Sequence, residues 1–119
     1  MMNQDQIKYI NVNEALSRMR GNKKLYVKML DLFLGVNEFA QFEEAIGKGD
    51  LNRAAEVAHT IKGMTGNLSM TALFEQSEKL MNQLRQSELD EELLADYRES
   101  YKITLGFVEN VKGELEAGM

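Results

Sequence analysis

Apolar residues recur every three or four positions along most of this chain, with polar residues between them, which is the period of an amphipathic helix. Asn13 is placed to cap a short helix, Glu14 to Arg20, with Leu16 and Met19 inward and Gly21 ending it. Asn22 then caps a longer helix running to about Ile46, through Leu25, Met29, Leu32, Phe33, Val36 and Phe39. Tyr26, Val27, Leu30 and Leu34 widen its stripe over much of the circumference, so it needs cover on two sides or leaves an apolar patch for docking. Gly47-Lys48-Gly49-Asp50 reads as a tight turn, with Asp50 capping a helix from Leu51 to Asn67. The pattern breaks over Leu68 to Thr71. It resumes from Ala72 to Arg85 with Leu73, Ser77, Leu80, Met81 and Leu84 at helical spacing. Ser87 and Asp90 have the spacing of a capping box, with Asp in place of the usual Glu. They open a last helix to about Glu116, whose stripe is Leu94, Tyr97, Tyr101, Leu105, Val108, Val111 and Leu115. Gly106 and Gly113 weaken its later turns. Residues 1–11 are polar with a few apolar positions, and the first handful should fray.

Long amphipathic helices joined by short connections predict an all-α protein, an antiparallel up-down-up-down four-helix bundle with the short N-terminal helix closing one end. The 119 residues favour a single domain over 1–119. Proline is absent where ordinary usage of ~5% would give roughly six, as long unbroken helices require. Cysteine is also absent, which removes disulfides and thiolate metal sites and suits a cytoplasmic protein. A net charge of −5 argues against nucleic acid as the main partner. No apolar run approaches the ~20 residues of a membrane span, and the N-terminus has no signal-peptide core.

The candidate chemistry sits on the helix of residues 51–67, which carries the only histidine, His59. With His59 at zero and ~100° per residue, Val57, Ile61, Met64 and Leu68 cluster near ~140–200°, with Ala54 just beyond. His59 is therefore on the opposite, outer face. Its neighbours there are Asn52, Ala55, Glu56, Gly63 and Gly66, with Lys62 at the flank. Each interior glycine costs a helix ~1 kcal/mol relative to alanine, so two beside one histidine point to open access rather than stability. Lys62, one turn on, can bring an ammonium to an anion on the imidazole. The small-residue face of Ala55, Gly63 and Gly66, with Asn52 near, should admit a partner helix. Glu56 reads as solvated, and Thr65 and Asn67 as residues of the helix end. One histidine without cysteine is poor material for a metal site, and no glycine-rich loop follows a strand to hold a nucleotide.

His59-Thr60-Ile61-Lys62-Gly63, followed by Thr65-Gly66-Asn67-Leu68, resembles the phospho-acceptor motif of histidine-containing phosphotransfer (HPt) domains. The flanking pattern, from the aromatic-rich helix through Gly49-Asp50 to the leucine-spaced helix, is similar over nearly all of the chain. Two positions depart from the family: Met64 stands where small residues are usual, and Ser69 where glycine is usual. The resemblance implies a phosphorelay intermediate. His59 would accept a phosphoryl group from a response-regulator receiver domain, phosphorylated in turn by a hybrid sensor histidine kinase, and pass it to another receiver. It implies no cofactor of the chain's own, magnesium held by the partner receiver, and a carrier rather than a self-sufficient enzyme. Such a domain works most simply as a monomer, and the initiating methionine suits a stand-alone protein. The competing reading is a helical interaction module that binds a response regulator or another protein without carrying phosphate.

Overall fold

The computed structural model describes residues 4–119, so the fraying foreseen for the first residues falls largely outside the described ones. Every element is helical: α1 (Gln4–Tyr9), α2 (Val12–Arg18), α3 (Lys23–Gly35), α4 (Glu38–Gly47), α5 (Leu51–Asn67), α6 (Thr71–Arg85) and α7 (Glu91–Ala117).

The N-terminal region holds two short helices where one was expected. α1 is anchored just past its end by Ile10, which is fully buried, while Ile7 stays exposed. The start of α2 corrects the expected cap: Asn11, not Asn13, accepts a hydrogen bond from the Glu14 N–H at 3.1 Å. The helix ends at Arg18, and Gly21, at φ +76°, donates its N–H back to the Leu16 carbonyl at 2.8 Å.

The long helix expected from Asn22 to Ile46 is two helices. Asn22 does cap α3, accepting from the Leu25 N–H at 3.0 Å. The helix stops at Gly35, however, and Val36 is extended (ψ 152°). The reason lies in the phase of the aromatic positions. On one straight helix, Phe33 and Phe39 would point ~120° apart at ~100° per residue. The break turns both into the core, where their rings meet edge to face at 5.5 Å.

α7 is long enough to span both α3 and α4. Its early residues meet α4: Tyr97 packs on Phe42, Tyr101 stacks on Phe39, and Arg98 grips Glu43 with a shortest N–O distance of 2.7 Å. Its later residues meet α3, where Lys112 pairs with Asp31 at 2.7 Å. Numbers rise along α7 as they fall along α3 and α4, so these segments run in opposite directions. The same holds for α5 and α6, the most extensively packed pair, through Lys62 with Glu78 and Gly66 against Phe74. Neither Gly106 nor Gly113 interrupts α7. Its cap is Asp90 alone, whose carboxylate accepts from Glu92 N–H at 2.9 Å and Leu93 N–H at 3.3 Å. Ser87 sits in the preceding turn at φ +58°, so the expected capping box does not form.

The buried core runs from Ile10 through Tyr26, Leu30 and Phe42 to Ile61, Leu80, Tyr97 and Val108. Among the described residues, no helix is long and apolar enough to cross a membrane.

Candidate functional site

α5 spans the expected residues. Asp50 caps it by accepting from the Arg53 N–H at 3.0 Å, and Ala54, Val57, Ala58, Ile61 and Thr65 bury its inner face. That burial orients the helix about its axis and turns His59 outward. His59 and Thr60 are exposed, and Gly63, one turn on, faces open space: a Cβ built there would have no neighbour within 4 Å. Asn52 and Glu56 are exposed on the same face. Glu56 is paired with Arg53 at 3.3 Å and so is not simply solvated.

Two of the three small residues expected to admit a partner lie elsewhere in the packing. Ala55 is 5% exposed and belongs to the core. Gly66 is half-buried. A Cβ on it would come within 3.0 Å of Phe74 Cδ1, so its smallness serves the approach of α6. Its carbonyl accepts from the Arg18 guanidinium of α2. The reason is angular: Ala55, Lys62 and Gly66 lie on one side of His59, within ~60° of it, and that is the side where α6 packs. Access is therefore from the other side, where Gly63, Asn67 and Thr60 are exposed.

Lys62 also lies on the α6 side. Its ammonium is 3.0 Å from Glu78 Oε2 and 5.8 Å from the centre of the Phe74 ring. Neither α6 residue was among the expected site residues, because nothing in a one-helix pattern says which helix lies alongside.

The apolar patch expected as one alternative for the helix from Asn22 takes the form of a groove of about 110 Å³ between α3 and α5, lined by Met29, Leu32, Phe33, Val36, Met64, Asn67 and Leu68. Leu32, expected in the packed stripe, is 55% exposed at its rim. Met64 is only partly buried, so the residue whose size departs from the family helps line this groove.

Ser69, the other departure, takes a left-handed backbone (φ +56°), the conformation that favours glycine. Two hydrogen bonds hold it there: its hydroxyl donates to Glu14 Oε1 at 2.7 Å, and its carbonyl accepts from Asn11 N–H at 3.0 Å. The short helix α2 thus clamps the turn that ends the histidine helix.

Among the described residues, no group of three or more His, Asp or Glu side chains could hold a metal ion. The fold and site define an all-helical protein that displays one histidine on an open helix face, next to an apolar groove. The Hpt domain family model matches residues 29–117, and the chain belongs to that family. It is a histidine-containing phosphotransfer module of two-component signalling, a phosphocarrier by class rather than an enzyme in the ordinary sense. Searches of curated proteins and of solved structures gave no significant match.

Proposed function

We propose that this protein is a phosphorelay intermediate in which His59 takes a phosphoryl group from a receiver-domain aspartate and hands it to a second receiver. The observation that carries the reading is the exposed imidazole of His59 beside open space at Gly63, in a chain of the Hpt family. An imidazole is mostly neutral at neutral pH and is nucleophilic without a separate base. Its distal nitrogen, Nε2, attacks phosphorus in line with the acyl oxygen of the aspartyl phosphate. The N–P bond forms as the O–P bond breaks, and the aspartate leaves as a carboxylate. The reverse reaction on a second receiver discharges the histidine. Positioning and charge neutralisation supply most of the catalysis in such transfers. The partner receiver would bring the aspartate and a magnesium ion, so this chain needs only a placed nucleophile and an unobstructed approach.

The receiver approaches over Gly63 and lays an apolar helix face against the groove of Met29, Leu32, Val36 and Met64. Asn67 ends that contact ~12 Å along α5 from His59, a short reach for a domain-sized partner. Exposed apolar side chains beside a reactive group are the usual mark of an interaction surface. In this reading residues 1–119 form one cytoplasmic, monomeric domain. α3 with α4, α5, α6 and α7 make an antiparallel four-helix bundle, and a hybrid sensor histidine kinase charges the first receiver.

The test is transfer of labelled phosphate from phosphorylated receiver domains to wild type and to His59→Gln. Acid-labile, base-stable label on the wild type alone supports the relay. A folded wild type that binds receivers yet takes no label from any of them would leave the interaction module as the function.

A further inference from the structure

Three cations on or against the His59 helix are matched by carboxylates of the same chain. Arg53 pairs with Glu56, Arg18 with Glu14, and Lys62 with Glu78. The last pair bears on the chemistry. Lys62 is one turn from His59 on the same helix, within side-chain reach of a group on the imidazole. Glu78 belongs to α6 and draws the Lys62 ammonium sideways, to 3.0 Å from its own oxygen and over the Phe74 ring. Lys62 is 27% exposed and Glu78 44%, so the pair is partly shielded and still open to exchange.

We propose that Glu78 is a positioning residue that competes with the phosphoryl group for Lys62 and so keeps phosphorylated His59 a ready donor. The proposal rests on His59 as the phosphoryl site. A phosphoryl group near −2 charge on the imidazole makes a second anion one helical turn from Lys62. With Glu78 ionised, the ammonium divides between the two anions and the phosphoryl group is only partly neutralised. Glu56 adds a further carboxylate on the His59 face, itself held by Arg53. An ammonium held on the resting phosphoimidazole stabilises the ground state, so loosening it favours transfer to a receiver that supplies its own neutralising charge in the transition state, which suits a relay and would not suit a store. Removing the Glu78 charge should release Lys62 to the phosphate. A partly exposed ion pair of this kind carries an effect of about 2- to 5-fold in an equilibrium.

The chain has a single histidine, so chemical phosphorylation gives one phosphohistidine signal. Phosphoramidate transfers its phosphoryl group to the imidazole and leaves as ammonia, with no receiver required. The ³¹P resonance of the full-length protein is then titrated against pH for wild type, Glu78→Gln, Lys62→Met and the double variant. A freed ammonium favours the deprotonated phosphoimidazole, whose free ring nitrogen is the group that titrates, so Glu78→Gln should lower its proton affinity about 2- to 5-fold relative to wild type. Lys62→Met and the double variant should titrate alike. A purely structural role for Glu78 would move the melting temperature and leave this titration in place. Identical titrations for wild type and Glu78→Gln would overturn the proposal. So would an effect of Glu78→Gln that persists in full without Lys62. Failure of every receiver to label the wild type would refute the relay reading while the ³¹P comparison still decided the role of Glu78.

Discussion

Replacing Gly63 by alanine adds one methyl group to the outer face of α5, one turn from His59. Beyond the helix's own backbone the structure places nothing within 4 Å of that methyl, so the substitution meets no clash and buries nothing. What remains is the backbone: alanine in a helix interior is favoured over glycine by about 0.8–1 kcal/mol. Gly63→Ala should therefore stabilise the protein by about 1 kcal/mol, a rise in Tm of about 3–6 °C for a chain of this size. The same methyl stands ~5–6 Å from the Cβ of His59, where the incoming receiver must sit. Phosphotransfer should slow about 10-fold, well inside the 10²-fold that a 1 Å misplacement can cost. Gly66→Ala is the internal control. Its Cβ would lie 3.0 Å from Phe74 Cδ1 and 3.1 Å from Cε1, so the Phe74 ring must give by a few tenths of an ångström to admit it. Overpacking of that kind costs about 1–3 kcal/mol, which cancels or exceeds the gain in propensity. Urea unfolding should rank Gly63→Ala above wild type, and Gly66→Ala level with it or below. If the two variants were equally stabilised, the assignment of Gly66 to helix packing would be wrong. A Gly63→Ala protein that transferred at the wild-type rate would show that access to His59 is not what the glycine provides.

Further consequences concern the turn, the cap and the buried phenols. Ser69→Ala keeps a left-handed residue and loses the bond to Glu14, so it should destabilise by about 1–2 kcal/mol, whereas Ser69→Gly relieves the backbone and should exceed it in stability by about 1 kcal/mol. Equal stabilities by urea denaturation would remove backbone strain from the account. Asp50→Ala should cost about 0.5–2 kcal/mol through the lost cap on α5, while the phosphotransfer rate of the folded protein stays unchanged. Burial, more than any neighbouring charge, pushes the Tyr26 and Tyr97 hydroxyls far above the ordinary phenol range. In the unfolded chain they ionise near ~10, so the stability they contribute is whole below that pH and is lost as pH climbs toward the folded values. In an alkaline absorbance titration these two of the four tyrosines should ionise only as the helical circular dichroism disappears. Early ionisation of all four in a folded protein would contradict their burial.

The reach of the sequence is clearest on α5. The 3.6-residue period, the Asp50 cap and the single histidine were enough to give the limits of that helix and to place His59 outside, because these depend on residues within a few turns of one another. The same local logic placed α6 within one residue and kept α7 continuous. It failed where partners are remote. The break at Val36 comes from the need to aim Phe33 and Phe39 into one core, where Phe39 stacks on Tyr101, a demand made by a helix some sixty residues away. Ala55, Gly63 and Gly66 look alike in the sequence as small residues around a histidine. Only the packing of α6 separates them into a core residue, an open window and a seat for Phe74. Lys62 likewise reads as a free cation until α6 brings Glu78 alongside. Local spacing thus determined which side of α5 His59 faces. Which helix faces a neighbour then covers was decided by tertiary packing, because that depends on contacts between segments distant in the chain.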